Sequence, residues 1–300
     1  MPQLTIDDSV RSVVKLVETR LREAGIESAR AEAEWLLAES LGLRRTELYL
    51  CEESVNPQQL ESLLGLLERR LRGEPLQYLL GSSEFFGYRL AVNPAVFIPR
   101  PETEVLAECA IHYLSGLVRR GNRLPRVLDL GTGSGNLAIT LAKAVPTCVV
   151  VGVELSWEAL QVARSNVSGH QVNDRVWLIQ ADWTSGIGPP APHQFVGAGF
   201  EFIIANPPYV MTREVQWLRA AGIGDPRQSL DGGPDGLSLH RRLLDDIPRL
   251  LAPGGAVVVE CAEAQADTLL RFIRAQSWAR DVRIVEDLAG RPRGLFIERA

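Results

Sequence analysis

From Arg126 onward the chain alternates short apolar runs with amphipathic stretches, and this alternation narrows the possible folds more than any other feature. Val127–Leu130, Cys148–Val153, Val176–Ala181, Phe200–Ala205 and Ala256–Glu260 read as strands. They are apolar almost throughout rather than at every second position, as strands buried on both faces of a parallel sheet are. Helical patterns are expected between them, over Asn136–Ala144, Ser156–Val167, Ser238–Leu251 and Glu263–Gln276. Two last strands, Val282–Val285 and Leu295–Glu298, are separated by a loop alone and are expected to run antiparallel. Such a pattern predicts a doubly wound α/β layer.

The part before it is different. Residues 1–75 carry helical patterns only. Val10, Val13, Val14, Val17 and Leu21 follow helical spacing, with Asp7, Asp8 or Ser9 available as N-cap. A second helix is expected from Ser28 to Leu41, with Trp35, Leu36 and Leu37 facing inward and Gly42 ending it. A third opens at Asn56-Pro57, carries the stripe Leu60, Leu63, Leu64, Leu67 and Leu71, and stops at Gly73. With no polar cluster visible in its sequence, this bundle reads as a docking module without chemistry of its own. Residues 76–104 then form a connector, with a β-hairpin about Gly87 and three stiffening prolines, Pro94, Pro99 and Pro101. Residues 105–300 make up the α/β domain. Gly186–Pro192 is expected to be a mobile loop.

The 300 residues, 46% apolar, suffice for a full core in one or two domains. A net charge of −5 argues against a large nucleic-acid footprint, although Arg100, Arg227, Arg291 and Arg293 are candidates for a local basic patch. Cys51, Cys109, Cys148 and Cys261 form no C-x-x-C pair and read as buried, reduced thiols. The four histidines show no ligand spacing, so no metal site is expected. The first residues lack the basic-then-apolar order of a signal peptide, and no apolar run approaches a membrane span. The expectation is a cytoplasmic monomer.

Three successive strands end in groups suited to one ligand. Asp129 opens the turn Gly131, Thr132, Gly133, Ser134, Gly135, whose glycines let the backbone approach a ligand closely. The dinucleotide fingerprint fails, because Asn136 stands where its third glycine is required. Glu154 ends the next strand, where a carboxylate can accept from ribose hydroxyls. Asp182-Trp183 ends the third, offering an acceptor for an adenine amino group and an indole to stack on the ring. No P-loop lysine follows the glycines. The set fits S-adenosyl-L-methionine (SAM) better than a phosphorylated nucleotide.

After Phe200–Ala205 come Asn206, Pro207, Pro208 and Tyr209. By average residue usage this run arises by chance in a chain of such length roughly once in a thousand. It places a side-chain amide and a stiff carbonyl at the carboxyl edge of the sheet, where such sheets bind ligands. Amide nitrogen is a poor nucleophile, since its lone pair is delocalised. Acceptance of its N–H bonds by the Asn206 side-chain oxygen and the Pro207 carbonyl fixes the group for in-line attack on a methyl, while Tyr209 sandwiches its plane.

The chain resembles the HemK/PrmC glutamine methyltransferases along nearly its whole length. The resemblance rests on EPLQYLLGSSEFFGYRLAVNPAVFIPRPETE, DLGTGSGN, NPPY and DPRQSLDGGPDGL, with DLAGRPR agreeing. It implies a seven-stranded, mostly parallel, Rossmann-like SAM-dependent methyltransferase domain joined by a hairpin to a small N-terminal helical domain. It also implies N5-methylation of the glutamine in the Gly-Gly-Gln motif of class 1 peptide chain release factors. On this resemblance residues 131–135, Glu154, Trp183 and Asn206 contact SAM, and Asn206 to Tyr209 hold the glutamine. Departures from the family pattern are Glu154 for Asp, Asp225 for Glu, Ser229 for Ala and Cys261-Ala262 for Ile-Gly. The loop 186–199 also looks longer than usual. Competing readings are an adenine-N6 DNA methyltransferase, which needs a target-recognition domain and a basic cleft, a ribosomal-protein glutamine methyltransferase, and a non-catalytic SAM-binding interaction protein.

Overall fold

The structure, a computed structural model, describes residues 9–50, 54–185, 187, 199–220 and 224–300. It divides into two compact units. One comprises the chain up to Ser82, with Leu218–Gly224; the other comprises Ser83–Trp217 and Asp225–Ala300.

The first unit contains α1 (Val10–Glu23), α2 (Ala29–Leu41), α3 (Pro57–Leu71) and the short α4 (Leu76–Leu79). Ser9 caps α1 by accepting from the Ser12 N–H, and Val10, Val13, Val14, Val17 and Leu21 are all buried. Asn56 caps α3 in a reciprocal capping box with Gln59, with Pro57 in the first turn. Three expectations need correction. Trp35 faces outward, 37% exposed, with the Arg45 guanidinium over its ring. Leu64 and Leu71 are exposed too, so Leu63 and Leu67 carry the buried stripe. A polar cluster also exists: Glu34 accepts from Arg30 (2.8 Å), Arg45 (2.7 Å) and the Tyr49 hydroxyl, and Glu32 accepts from Arg70 (2.6 Å). Its members come from α2, α3 and the turn after α2, which is why no local sequence window reveals it.

The hairpin strands are β1 (Ser82–Phe85) and β2 (Tyr88–Ala91). Phe86 and Gly87 between them both have positive φ (51° and 76°), the backbone of a tight two-residue hairpin turn. The chain then runs through α5 (Glu104–Arg119), β3 (Arg126–Leu130), α6 (Asn136–Ala144), β4 (Val149–Glu154), α7 (Trp157–Gly169), β5 (Val176–Gln180) and β6 (Phe200–Ala205). After these come α8 (Thr212–Ala220), α9 (Ser238–Leu250), β7 (Leu251–Glu260), α10 (Ala266–Arg274), β8 (Ala279–Glu286) and β9 (Pro292–Arg299).

Seven strands form one sheet in the order β5-β4-β3-β6-β7-β9-β8. The first five are parallel, and β9 runs antiparallel between β7 and β8. The uninterrupted apolar runs have a direct cause, because each central strand is covered on both faces. Phe202 and Ile204 of β6 join the cluster under α5 and α6, while Ile203 and Ala205 join the cluster under α9 and α10. Full burial of one such side chain stabilises by about 1.5–3 kcal/mol. The strand order reverses between β3 and β6, so their carboxyl ends open the crevice in which doubly wound sheets bind ligands.

Cys148 and Cys261 are buried thiols, both pushed up to about 12 by burial; Cys109 is half-buried, and Cys51 lies outside the described residues. The Gly186–Pro192 loop lies outside them as well, apart from Ile187. Among the described residues no helix is long and apolar enough to cross a membrane, and no cluster of side chains suits a metal ion.

Candidate active site

Leu130 of β3 pairs with Ala205 of β6, so the glycine turn and the Asn206 corner leave the sheet side by side. Between them lies a cleft of about 190 Å³ bordered by both segments, Glu154, Asp182, Trp183, residues 95–97 and Pro99. Gly131, Gly133 and Gly135 have φ values of 75°, 54° and 83°. Beneath this turn Asp129 is fully buried and accepts from Thr132 Oγ1 (2.6 Å). Burial pushes its carboxyl up to about 7.

Glu154 folds back onto the turn. Its Oε2 accepts from the Gly133 N–H (3.0 Å), and its Oε1 from the N–H groups of Leu155 (2.9 Å) and Ser156 (3.0 Å). Trp183, with φ of 55°, packs beside Gly131 and within the core of Leu128, Leu130 and Val153, leaving 7% of its surface exposed. Asp182 sits at the rim, its Oδ1 accepting from Arg242 (2.8 Å). All the sequence-predicted cofactor residues therefore line or support one cleft.

Asn206 donates from Nδ2 to Thr103 Oγ1 (3.2 Å), which leaves Oδ1 as an acceptor. Tyr209 donates its hydroxyl to Glu260 Oε1 (3.3 Å), and burial followed by the Glu260 charge raises its pKa. The DPRQSLDGGPDGL segment holds this corner from the side. Val210 N–H donates to Leu230 O (2.9 Å), Gly232 N–H to Val210 O (2.8 Å), and Gln265 Nε2 to Tyr209 O (3.0 Å). Gly232 and Gly236 are needed for the approach, since a β-carbon would lie 2.7 Å from Pro208 O at one and 2.3 Å from Tyr209 O at the other. Asp225 accepts from Ile98 N–H (3.1 Å) and Arg100 (2.5 Å), fixing the 97–100 wall.

The candidate basic patch does not survive as free cations. Arg100 pairs with Asp225, Arg227 with Asp231, and Arg291 and Arg293 with Asp287. Thr103, Glu260, Arg242 and Gln265 were not anticipated as site residues. Thr103 lies within the long segment ending in IPRPETE that carries the family resemblance, and nothing local distinguishes the other three.

Among the described residues the cleft wall contains Glu154 and Asp182 but no lysine or arginine. With Asp182 paired to Arg242 at the rim, a phosphate would meet the Glu154 carboxylate and no cation in the wall. A cationic sulfonium carrying a ribose and an apolar-faced base suits this lining, with Leu137, Val153 and Leu239 as apolar contacts. The residues present fit SAM.

The comparisons with known proteins agree. A model of the PrmC N-terminal domain matches residues 12–81, and a methyltransferase domain model matches residues 122–286. A release factor glutamine methyltransferase of Geobacter sulfurreducens is 39% identical over 264 residues, covering 87% of each chain. The chain belongs to the release factor glutamine methyltransferase family. A further family member, from Rhodopirellula baltica, is 35% identical and covers 99% of both chains. Among solved structures, the hMettl16 catalytic domain in complex with a MAT2A 3'UTR hairpin superposes with a TM-score of 0.53 at 15% identity, covering 82% of this chain and 80% of that one. At that identity the likeness shows the fold alone. The family's seven-stranded methyltransferase fold is the one seen here.

Proposed function

We infer that the protein transfers the methyl group of SAM to the side-chain amide nitrogen (N5) of the glutamine in the Gly-Gly-Gln motif of class 1 release factors. The single observation that carries this reading is the Asn206 amide, tied by Nδ2 to Thr103 beside the glycine turn, with its oxygen left to accept. The names of the relatives supply the protein substrate.

When bound, SAM supplies an electrophilic methyl on a sulfonium. Residues 131–135 admit it by backbone approach, Glu154 accepts from its ribose, and Trp183 with the apolar wall covers its base. Asp182 serves the adenine edge from the rim. Asn206 Oδ1 and the Pro207 carbonyl accept the two N–H bonds of the glutamine amide, which orients the nitrogen lone pair. Pro207 and Pro208 keep those acceptors stiff, and Tyr209 covers the amide plane. No strong base is required, because the departing proton becomes acidic only as the new bond forms. In this reading residues 1–75 dock the release factor, 76–104 connect, and 105–300 catalyse, as a monomer in the cytoplasm acting on protein rather than nucleic acid.

The test mixes purified protein, methyl-tritiated SAM and a release factor bearing Gln or Ala in its loop. Label is expected on the Gln form alone. Label on the Ala form, or on DNA supplied instead, would sink the assignment.

A further inference from the structure

We propose that Thr103 and Glu260 are positioning residues that select the productive flip of the Asn206 amide, with Glu260 competent as its carboxylate. The inference rests on the reading of Asn206 as the amide acceptor. The two ends of an asparagine amide are nearly isosteric, so only their partners decide which faces the cleft. Nδ2 points to Thr103 Oγ1, on a residue 1% exposed. A hydroxyl that accepts there must donate its own proton elsewhere. The buried Glu260 carboxyl offers an unfilled acceptor. Its Oε1 accepts from Tyr209, its buried Oε2 has no hydrogen-bond partner, and the Thr103 hydroxyl holds its pKa down. An ionised carboxyl has Oε2 free to receive the Thr103 proton beside that of Tyr209 on Oε1, and Asn206 then presents its oxygen to the cleft. A protonated Glu260 carries a hydrogen of its own. Thr103 then accepts from it and donates to Asn206 Oδ1, which turns Nδ2 toward the substrate and places a donor where an acceptor is needed.

Burial raises Glu260 to about 7, opposed by Thr103, Tyr209 and the Arg293 charge and reinforced by Glu102. Arg293 is shared with Asp287 (2.9 Å), and Arg100, which faces Tyr209, is paired with Asp225. From α9, His240 meets the Glu260 backbone oxygen through Nε2 (2.8 Å), and burial lowers its pKa. Asp129, the other buried carboxyl raised to about 7, lies beneath the same cleft and has to be separated experimentally.

The test follows the Asn206 side-chain amide resonance in the full chain from pH 5.5 to 9, alongside single-turnover methyl transfer at saturating SAM and release factor. In the wild type the resonance should shift with a midpoint near 7, and the rate should fall on the acid side of it. Glu260→Gln should abolish the shift and the acid limb, and lower the pH 8 rate about tenfold or more. Thr103→Val should do the same to the rate and Thr103→Ser restore it to within about threefold, with SAM affinity within about twofold of wild type throughout. A pH-invariant amide, an acid limb retained with the same midpoint in Glu260→Gln (which would assign it to Asp129), or wild-type turnover in Thr103→Val overturns the proposal. A titrating amide in a protein that does not methylate glutamine counts for this relay and against the functional reading.

Discussion

Glu154 shows how one methylene changes the accounting at a single residue. An ionised carboxylate offers about four lone-pair sites. Three are already filled by the N–H groups of Gly133, Leu155 and Ser156. One site is left, so a ribose can gain a single hydroxyl contact unless a backbone bond is given up. Glu154→Gln replaces one acceptor oxygen by a donor and sets it against the backbone N–H groups. Loss of one charge-assisted bond costs about 1.5–3 kcal/mol. Calorimetry should therefore show SAM affinity lowered by about tenfold or more, and unchanged affinity would remove Glu154 from the binding set. The sequence placed this carboxylate at the right strand end. It could not reveal the fold-back, which depends on the turn conformation of residues 131–133.

At the scale of elements, α9 does more than cover the sheet. Arg242 donates to Asp182 Oδ1 (2.8 Å), Asp182 O (2.9 Å) and Ser185 Oγ (2.6 Å). Asp246 receives the Thr184 hydroxyl, and Arg249 donates to Thr184 O (3.0 Å). Together they hold the turn in which Trp183 keeps its left-handed backbone, a conformation costly for a bulky residue without such support. Arg242→Ala should weaken SAM binding severalfold. Because the Arg242–Asp182 pair is solvent-exposed, the loss of stability should stay below about 1 kcal/mol, or a fall in Tm of no more than about 2–4 °C. A measured SAM affinity equal to wild type would show that the turn holds without the clamp. The helix itself was legible in the sequence, as was α6, and β3 and β6 were legible as unbroken apolar runs. The clamp was not, since arginines and aspartates on the polar face of a helix read like solvated charge. The outward Trp35, Leu64 and Leu71 carry a related lesson: an apolar residue near a stripe is inward only if a neighbouring element covers it.

For the molecule as a whole, the fold and the cleft were readable because the sheet is parallel and each ligand-side group ends a strand. Parallel strands buried on both faces announce themselves as unbroken apolar runs, and their carboxyl ends converge by topology. What sequence could not supply was convergence across long separations. Thr103 meets Asn206 over 103 positions, and Glu260 meets Tyr209 over 51. The negative cleft wall likewise emerges only when strands β3 to β6 stand side by side. The central claim is that a stiff pair of acceptors at the β6 edge holds a carboxamide nitrogen for methyl transfer. Single-turnover transfer to a release factor by Asn206→Ala, with SAM affinity measured in parallel, tests it most directly. The account predicts a rate lower by about two orders of magnitude or more, as for loss of a preorganised group in the transition state, with SAM affinity changed far less. Transfer at the wild-type rate would contradict it.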